Sequence, residues 1–207
     1  MLSEWKNKKR LNHQLKNKTF TIISSNCWGS TVYEDMGIQY LTPTVGLFFY
    51  APCYIKFLKD LELFLSIDLQ FIEKSMYEEA NILRAKKWYP LGILDGVEIH
   101  FLHYKTEADA KKKWIRRINR INFDNLFISF TDRDRCTIEN IYEFDALPFK
   151  NKVCFTAKEY KESKSAIWIK EYSGKPFVGD LYSERKIVAR YFDAIDWLNS
   201  TLINTND

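Results

Sequence analysis

Three apolar runs in this 207-residue chain each end in residues that can do chemistry. Phe20-Thr21-Ile22-Ile23 leads into Ser24-Ser25-Asn26-Cys27-Trp28-Gly29-Ser30. Residues 97–102 lead into His103-Tyr104-Lys105, and Leu126-Phe127-Ile128-Ser129-Phe130 leads into Thr131-Asp132-Arg133-Asp134-Arg135. In a mostly parallel sheet such strand ends gather on one edge, where open α/β folds bind ligands. Cysteine, histidine and aspartate on that edge suit acyl transfer. Cys27 would take an acyl group from a thioester, His103 would act as base and Asp132 would orient the imidazole. A helix starting near Gly29 would offer backbone N–H groups to a thiolate or an oxyanion. The competing reading of Cys27 is a buried thiol beside Trp28 in a tight strand exit. Ser24, Ser25 and Ser30 are weaker nucleophiles that serve equally well as helix caps.

Asp132-Arg133-Asp134 supports a second chemistry. Two carboxylates two residues apart can hold a divalent cation against a diphosphate, because hard cations prefer oxygen ligands. The pattern resembles the Asp-x-Asp motif of nucleotide-sugar glycosyltransferases, a motif short enough to arise in any surface turn. Arg133 and Arg135 suit the same carboxylates, a phosphate or a sugar carboxylate. Ser25, Asn26, Trp28, Ser30, Arg133 and Asp134 are therefore the expected substrate-binding residues around a catalytic Cys27, His103 and Asp132. Metal ligation is not assigned. The four cysteines form no Cys-x-x-Cys pair, and the three histidines form no His-Glu-x-x-His signature. Cys53 and Cys154 read as buried thiols. His100 and His103 are three apart on an expected strand and should face opposite ways.

The elements that position these residues follow from periodicity. Residues 1–18 form a basic, partly helical leader with Leu2, Trp5, Leu11 and Leu15 as apolar contacts. Strands are expected at 18–25, 97–102, 126–130 and 152–155. Helices are expected at 50–66, with Pro52 in the first turn, and at 76–85. Another starts at Glu107, capped by Thr106, with Trp114, Ile115, Ile118 and Ile121 as its buried stripe. Further helices span 138–146, capped by Thr137, and 184–202, with Ile187, Tyr191, Ile195 and Leu198 on one face. Alternating strands and helices imply a single α/β layered domain over 1–207, its mostly parallel sheet covered by helices on both faces. The four strands should share that sheet.

Composition narrows the function classes. A net charge of +4 is too mild to signal nucleic acid. The basic run Lys111, Lys112, Lys113, Arg116, Arg117 and Arg120 reads as a solvated helix face. The longest apolar stretch, 45–54, falls short of the roughly 20 residues of a membrane span. No apolar signal run follows the basic N-terminus, so a cytoplasmic location is expected.

Several motifs lie outside the three clusters: Tyr40-Leu41-Thr42-Pro43-Thr44-Val45-Gly46-Leu47-Phe48, Tyr89-Pro90-Leu91-Gly92, Glu98-Ile99-His100-Phe101-Leu102-His103-Tyr104 and Lys113-Trp114-Ile115-Arg116-Arg117. With Ser25-Asn26-Cys27-Trp28-Gly29-Ser30 and Thr131-Asp132-Arg133-Asp134 they resemble the bacterial domain-of-unknown-function family numbered 1919. The resemblance runs from about residue 18 into the C-terminal helix. It implies an α/β/α sandwich with a mixed sheet. Members carry the labels exopolysaccharide or capsule biosynthesis protein and, in some cases, acyltransferase. The leading expectation is an enzyme that acylates a polysaccharide precursor. A nucleotide-sugar glycosyltransferase and a non-catalytic sugar- or partner-binding module are the alternatives. Acyl donor, sugar, cofactor and oligomeric state stay open.

Overall fold

The computed structural model describes residues 2–201, with side chains from residue 8 onward. Four parallel strands make the main sheet: β1 (Thr21–Ser24), β5 (Leu126–Thr131), β6 (Asn151–Thr156) and β7 (Ala166–Trp168), in the order β1-β5-β6-β7. All four residues of β1 are buried, which explains its continuous apolar and β-branched character. Alternate side chains serve opposite faces. Ile22, Phe127, Val153 and Phe155 enter a core with α1 (Leu2–Gln14), α2 (Trp28–Met36), α8 (Arg185–Val188) and α9 (Ala194–Asn199). Ile23, Ile128, Phe130 and Cys154 enter a core with α3 (Ala51–Lys59), α6 (Glu107–Ile118) and α7 (Ile138–Ala146). Helices thus cover both faces, and the α/β class holds.

The expected strand at 97–102 leaves this sheet. As β4 (Val97–His100) it pairs antiparallel with β3 (Leu91–Leu94), which pairs antiparallel with β2 (Gln70–Phe71). The cause is local. Asp95 and Gly96 both adopt positive φ, 42° and 74°, and make the two-residue turn that joins antiparallel strands. A Phe48–His100 bridge then ties the small sheet to the segment that follows α2.

Other departures have similar local origins. The expected helix at 50–66 divides at Asp60 into α3 and α4 (Leu61–Ser66). The final helix divides because Asp193 caps α9, accepting from the N–H groups of Ile195 and Asp196. Ile115 is 48% exposed: a stripe running from Trp114 passes through Arg117 and Ile118, three and four residues on. The Thr106 and Thr137 caps form as expected, Thr137 with Asn140 in a reciprocal box. Residues 76–85 become α5 (Glu78–Lys86). Leu15 is buried beneath α1, while the side chains of Leu2 and Trp5, and Leu202, lie outside the described residues.

The β1–α2 connection has little slack. Asn26 Oδ1 accepts from Trp28 N at 3.1 Å, and Ser24 Oγ accepts from Gly29 N at 3.4 Å. A Cβ at Gly29 would stand 2.6 Å from Ser24 Cβ. Gly29→Ala must therefore push α2 off β1. It should destabilise the protein by about 1–3 kcal/mol, read as a lowered urea midpoint with unchanged slope. A loss below about 0.5 kcal/mol, the range of neutral surface changes, would refute this account of the turn.

Candidate active site

The exits of β1 and β5 open into one cavity of about 360 Å³. Asn26 and Cys27 line it from the β1 exit, and Arg133 and Asp134 from the β5 exit. Phe48 and Leu102–His103 form a second wall, and Asp180, Leu181 and Tyr182 a third. Parallel pairing of β1 with β5 brings the first two groups to the same edge. His103 arrives differently. It lies three residues past the end of the antiparallel strand β4, and its N–H donates to Gly46 O at 3.0 Å. Gly46 has a φ of 69°, and a Cβ there would come 3.2 Å from His103 Cβ, so only glycine fits comfortably.

Cys27 lines the cavity as a thiol. Its Sγ lies 3.7 Å from Leu47 O. Burial first, then the carboxylates of Asp180 and Glu34, push its pKa up to about 11. The helix start beside it does not counter this. The Trp28 and Gly29 N–H groups point at Asn26 and Ser24 rather than into the cavity. Thiolate and oxyanion stabilisation by free α2 N–H groups is therefore not provided by this turn.

Asp132 stands apart from the cavity lining. It is 6% exposed, and each carboxylate oxygen accepts a backbone bond, from Ala157 N at 2.6 Å and Val178 N at 2.8 Å. It fastens the end of β6 and the 173–180 segment to the exit of β5. Asp134 occupies the cavity instead. Asp134 and Arg135 take φ values of 54° and 62°, turning the chain back so that Asp134 O accepts from Ala51 N at 2.8 Å. Burial pushes the Asp134 carboxyl up to about 6, opposed by Arg133, whose Nε lies 4.0 Å away.

The other expected binding residues divide between cavity and core. Asn26 faces the cavity and donates to Thr131 Oγ1 at 3.1 Å. Trp28 packs on Phe155, ring centres 4.7 Å apart, in the core beneath α2. Ser30 Oγ donates to Cys27 O, and Ser25 is buried with no hydrogen-bond partner for Oγ. Sequence reasoning missed Phe48, Asp180 and Tyr182. Tyr182 O–H donates to Glu34, which also accepts from Tyr40, and Asp180 accepts from Tyr182 N and Ser183 Oγ. Asp180 and Tyr182 reach the site on a loop whose signal is the turn marked by Gly179, and Phe48 reaches it through its bridge to His100 rather than at the end of a main-sheet strand. Among the described residues, no group of three or more His, Cys, Asp and Glu side chains is placed to hold a metal ion.

A family model described as Domain of unknown function (DUF1919) matches residues 2–199. An uncharacterized protein of Haemophilus influenzae is 37% identical over 193 residues, covering 91% of this chain and 88% of that protein.

The two aspartates should separate experimentally. Asp132→Asn turns one acceptor into a donor facing a backbone N–H, and should cost about 1–3 kcal/mol of stability. Wild-type stability after this substitution would refute the fastening role. Asp134 behaves oppositely. Its folded pKa of about 6 exceeds the usual 3.8, so its contribution is full below the usual value and is lost as pH rises through about 6. Relative to the parent, Asp134→Asn should therefore gain about 1–3 kcal/mol between about pH 4 and pH 7. Denaturation curves with no change in that difference would refute it.

Proposed function

Since the chain belongs to the DUF1919 family, we propose that it is a bacterial cytoplasmic transferase that acylates a hydroxyl of a sugar-type polysaccharide precursor. The observation that carries this reading is Asp134, a carboxyl held near 6 in a cavity that also contains His103, Arg133, Asn26 and the rings of Phe48 and Tyr182. A group whose pKa lies near the working pH is an effective proton acceptor. Planar polar groups suit hydroxyls, and aromatic faces suit the apolar face of a sugar ring.

In the proposed reaction the acceptor hydroxyl gives its proton to Asp134 while its oxygen bonds to the acyl carbon of a thioester. The carbon–sulfur bond breaks, and His103, at the exposed mouth, protonates the departing thiolate. Exchange with solvent returns both residues to their starting states. Cys27 stays protonated and serves as a wall, so acyl transfer runs directly from donor to acceptor. Glycosyl transfer through a metal on Asp132 and Asp134 is less favoured, because both Asp132 oxygens already accept backbone N–H groups. A non-catalytic sugar-binding module is the second reading, favoured by the absence of thiolate-stabilising donors at the start of α2.

Mass spectrometry of sugars incubated with acetyl-coenzyme A and the protein tests this. Transfer should fall on the order of 100-fold in both Asp134→Asn and His103→Ala, the usual worth of acid–base catalysis. Cys27→Ser should retain activity, and iodoacetamide should label native Cys27 slowly at neutral pH. Loss of transfer in Cys27→Ser would replace the direct route with a covalent one. Sugar binding without transfer from any thioester would leave the binding module.

A further inference from the structure

A second cavity of about 350 Å³ lies across α2 from the first, within the usual size range of small-molecule sites. Trp28, Val32 and Met36 from α2 and Val188, Phe192 and Ile195 from the C-terminal segment form its apolar side, and Arg10, Asp35, Arg185 and Asp193 give it a charged side. Helical spacing makes α2 the partition. Cys27 lines the first cavity and Glu34, seven residues on, bonds the Tyr182 hydroxyl at its rim, while Trp28 and Asp35 line the second. The two cavities approach each other where the Arg185 guanidinium stands 5.9 Å from the centre of the Tyr182 ring. Asp35 holds Arg185 there, with Nε–Oδ1 at 3.3 Å.

The shape restricts the occupant. Trp28, Val32, Met36 and Val188 are only 2–5% exposed, so the apolar side of the cavity lies between packed side chains and presents no broad apolar face. A docked helix or second protein needs an interface on the order of 1,000 Å². A methylene chain needs only a slot. We propose that this slot takes the apolar chain of the acyl donor, making the donor a medium-chain acyl thioester. The proposal rests on the acyl-transfer reading of the neighbouring cavity. Arg185, at the junction, is placed beside the polar part of the same donor.

Calorimetric titration with acyl-coenzyme A species of two to twelve carbons tests the slot. Affinity should rise by up to about fourfold per added methylene until the slot is filled, then level off. Ala189 is exposed and lines the slot. Ala189→Trp should flatten the series while leaving acetyl-coenzyme A binding unchanged. Ile195→Trp, filling the slot from another wall, gives the same readout should the first variant fail to fold. A flat series in the parent, or a rising series that survives a folded slot-filling variant, overturns the proposal. Sodium dodecanoate, which has no transferable group, separates this failure from that of the transfer reading. Dodecanoate binding lost in Ala189→Trp, with no transfer from any thioester, refutes acyl transfer and keeps a chain-binding slot. Acetyl transfer with no dependence on chain length refutes the slot and keeps acyl transfer.

Discussion

Parallel pairing of β1 with β5, Thr21 opposite Leu126 through Ser24 opposite Ser129, is the constraint on which the candidate site depends. An antiparallel pair would send Asn26 and Cys27 to one edge and Arg133 and Asp134 to the other. The pairing is fastened at the exit itself. Ser25 N donates to Ser129 O at 3.1 Å, and Asn26 reaches across to Thr131. The buried Tyr54 hydroxyl lies 2.9 Å from Ile23 O and 3.0 Å from Ser129 O, anchoring α3 against both strands at once. Asp132 extends the same fastening to β6. Order at this edge comes from buried polar groups whose partners are mostly backbone, a geometry that tolerates little displacement.

Much of this was legible in the residues. The strands at β1, β5 and β6, the Thr106 and Thr137 caps and the buried Cys53 and Cys154 all follow from patterns whose physics is local. So does the idea that β1 and β5 exits share an edge. The sheet assignment of 97–102 was not recovered, although its signal was present: Asp95-Gly96 between apolar runs is a hairpin turn, and it outweighs strand alternation with helices. Helix continuity failed at Asp193 because its carboxylate accepts the N–H groups of Ile195 and Asp196 and starts a new helix, and at Asp60 because its backbone leaves the helical region, at φ −137° and ψ 52°, with no side-chain cap.

Asp132 and Asp134 show what one-dimensional reading cannot separate. Both follow the same strand, both carry the same carboxyl group, and two residues apart they should share a face if the chain stays extended. It does not stay extended. The left-handed turn at Asp134 and Arg135 breaks the alternation, and long-range partners decide the rest. Asp132 meets two N–H groups from residues 157 and 178 and becomes an anchor. Burial raises both pKa values, that of Asp132 against its backbone donors and that of Asp134 to about 6 with Arg133 opposing, and of the two only Asp134 lines the cavity. Carboxyl groups left incompletely compensated in a cleft are those whose protons are available for chemistry.

The two histidines divide along the same line. His100 is wholly buried, its Nε2 3.4 Å from the Glu98 carboxylate and its Nδ1 3.2 Å from the Tyr89 hydroxyl. Burial works against charge on Glu98, yet His100, Ser75 and the Met76 N–H together hold its pKa below the usual range, while burial lowers that of His100. The pair therefore rests as a carboxylate beside a neutral imidazole, with no net call for a proton at neutral pH. Its role is mechanical. The His100 ring stacks on Phe48 at 4.6 Å, and the two backbones bridge, so the buried network fixes one wall of the cavity. Three residues later the chain leaves the strand, and His103 stands exposed at the cavity mouth. One histidine is buried and shapes the wall, and the other lines the cavity within reach of solvent.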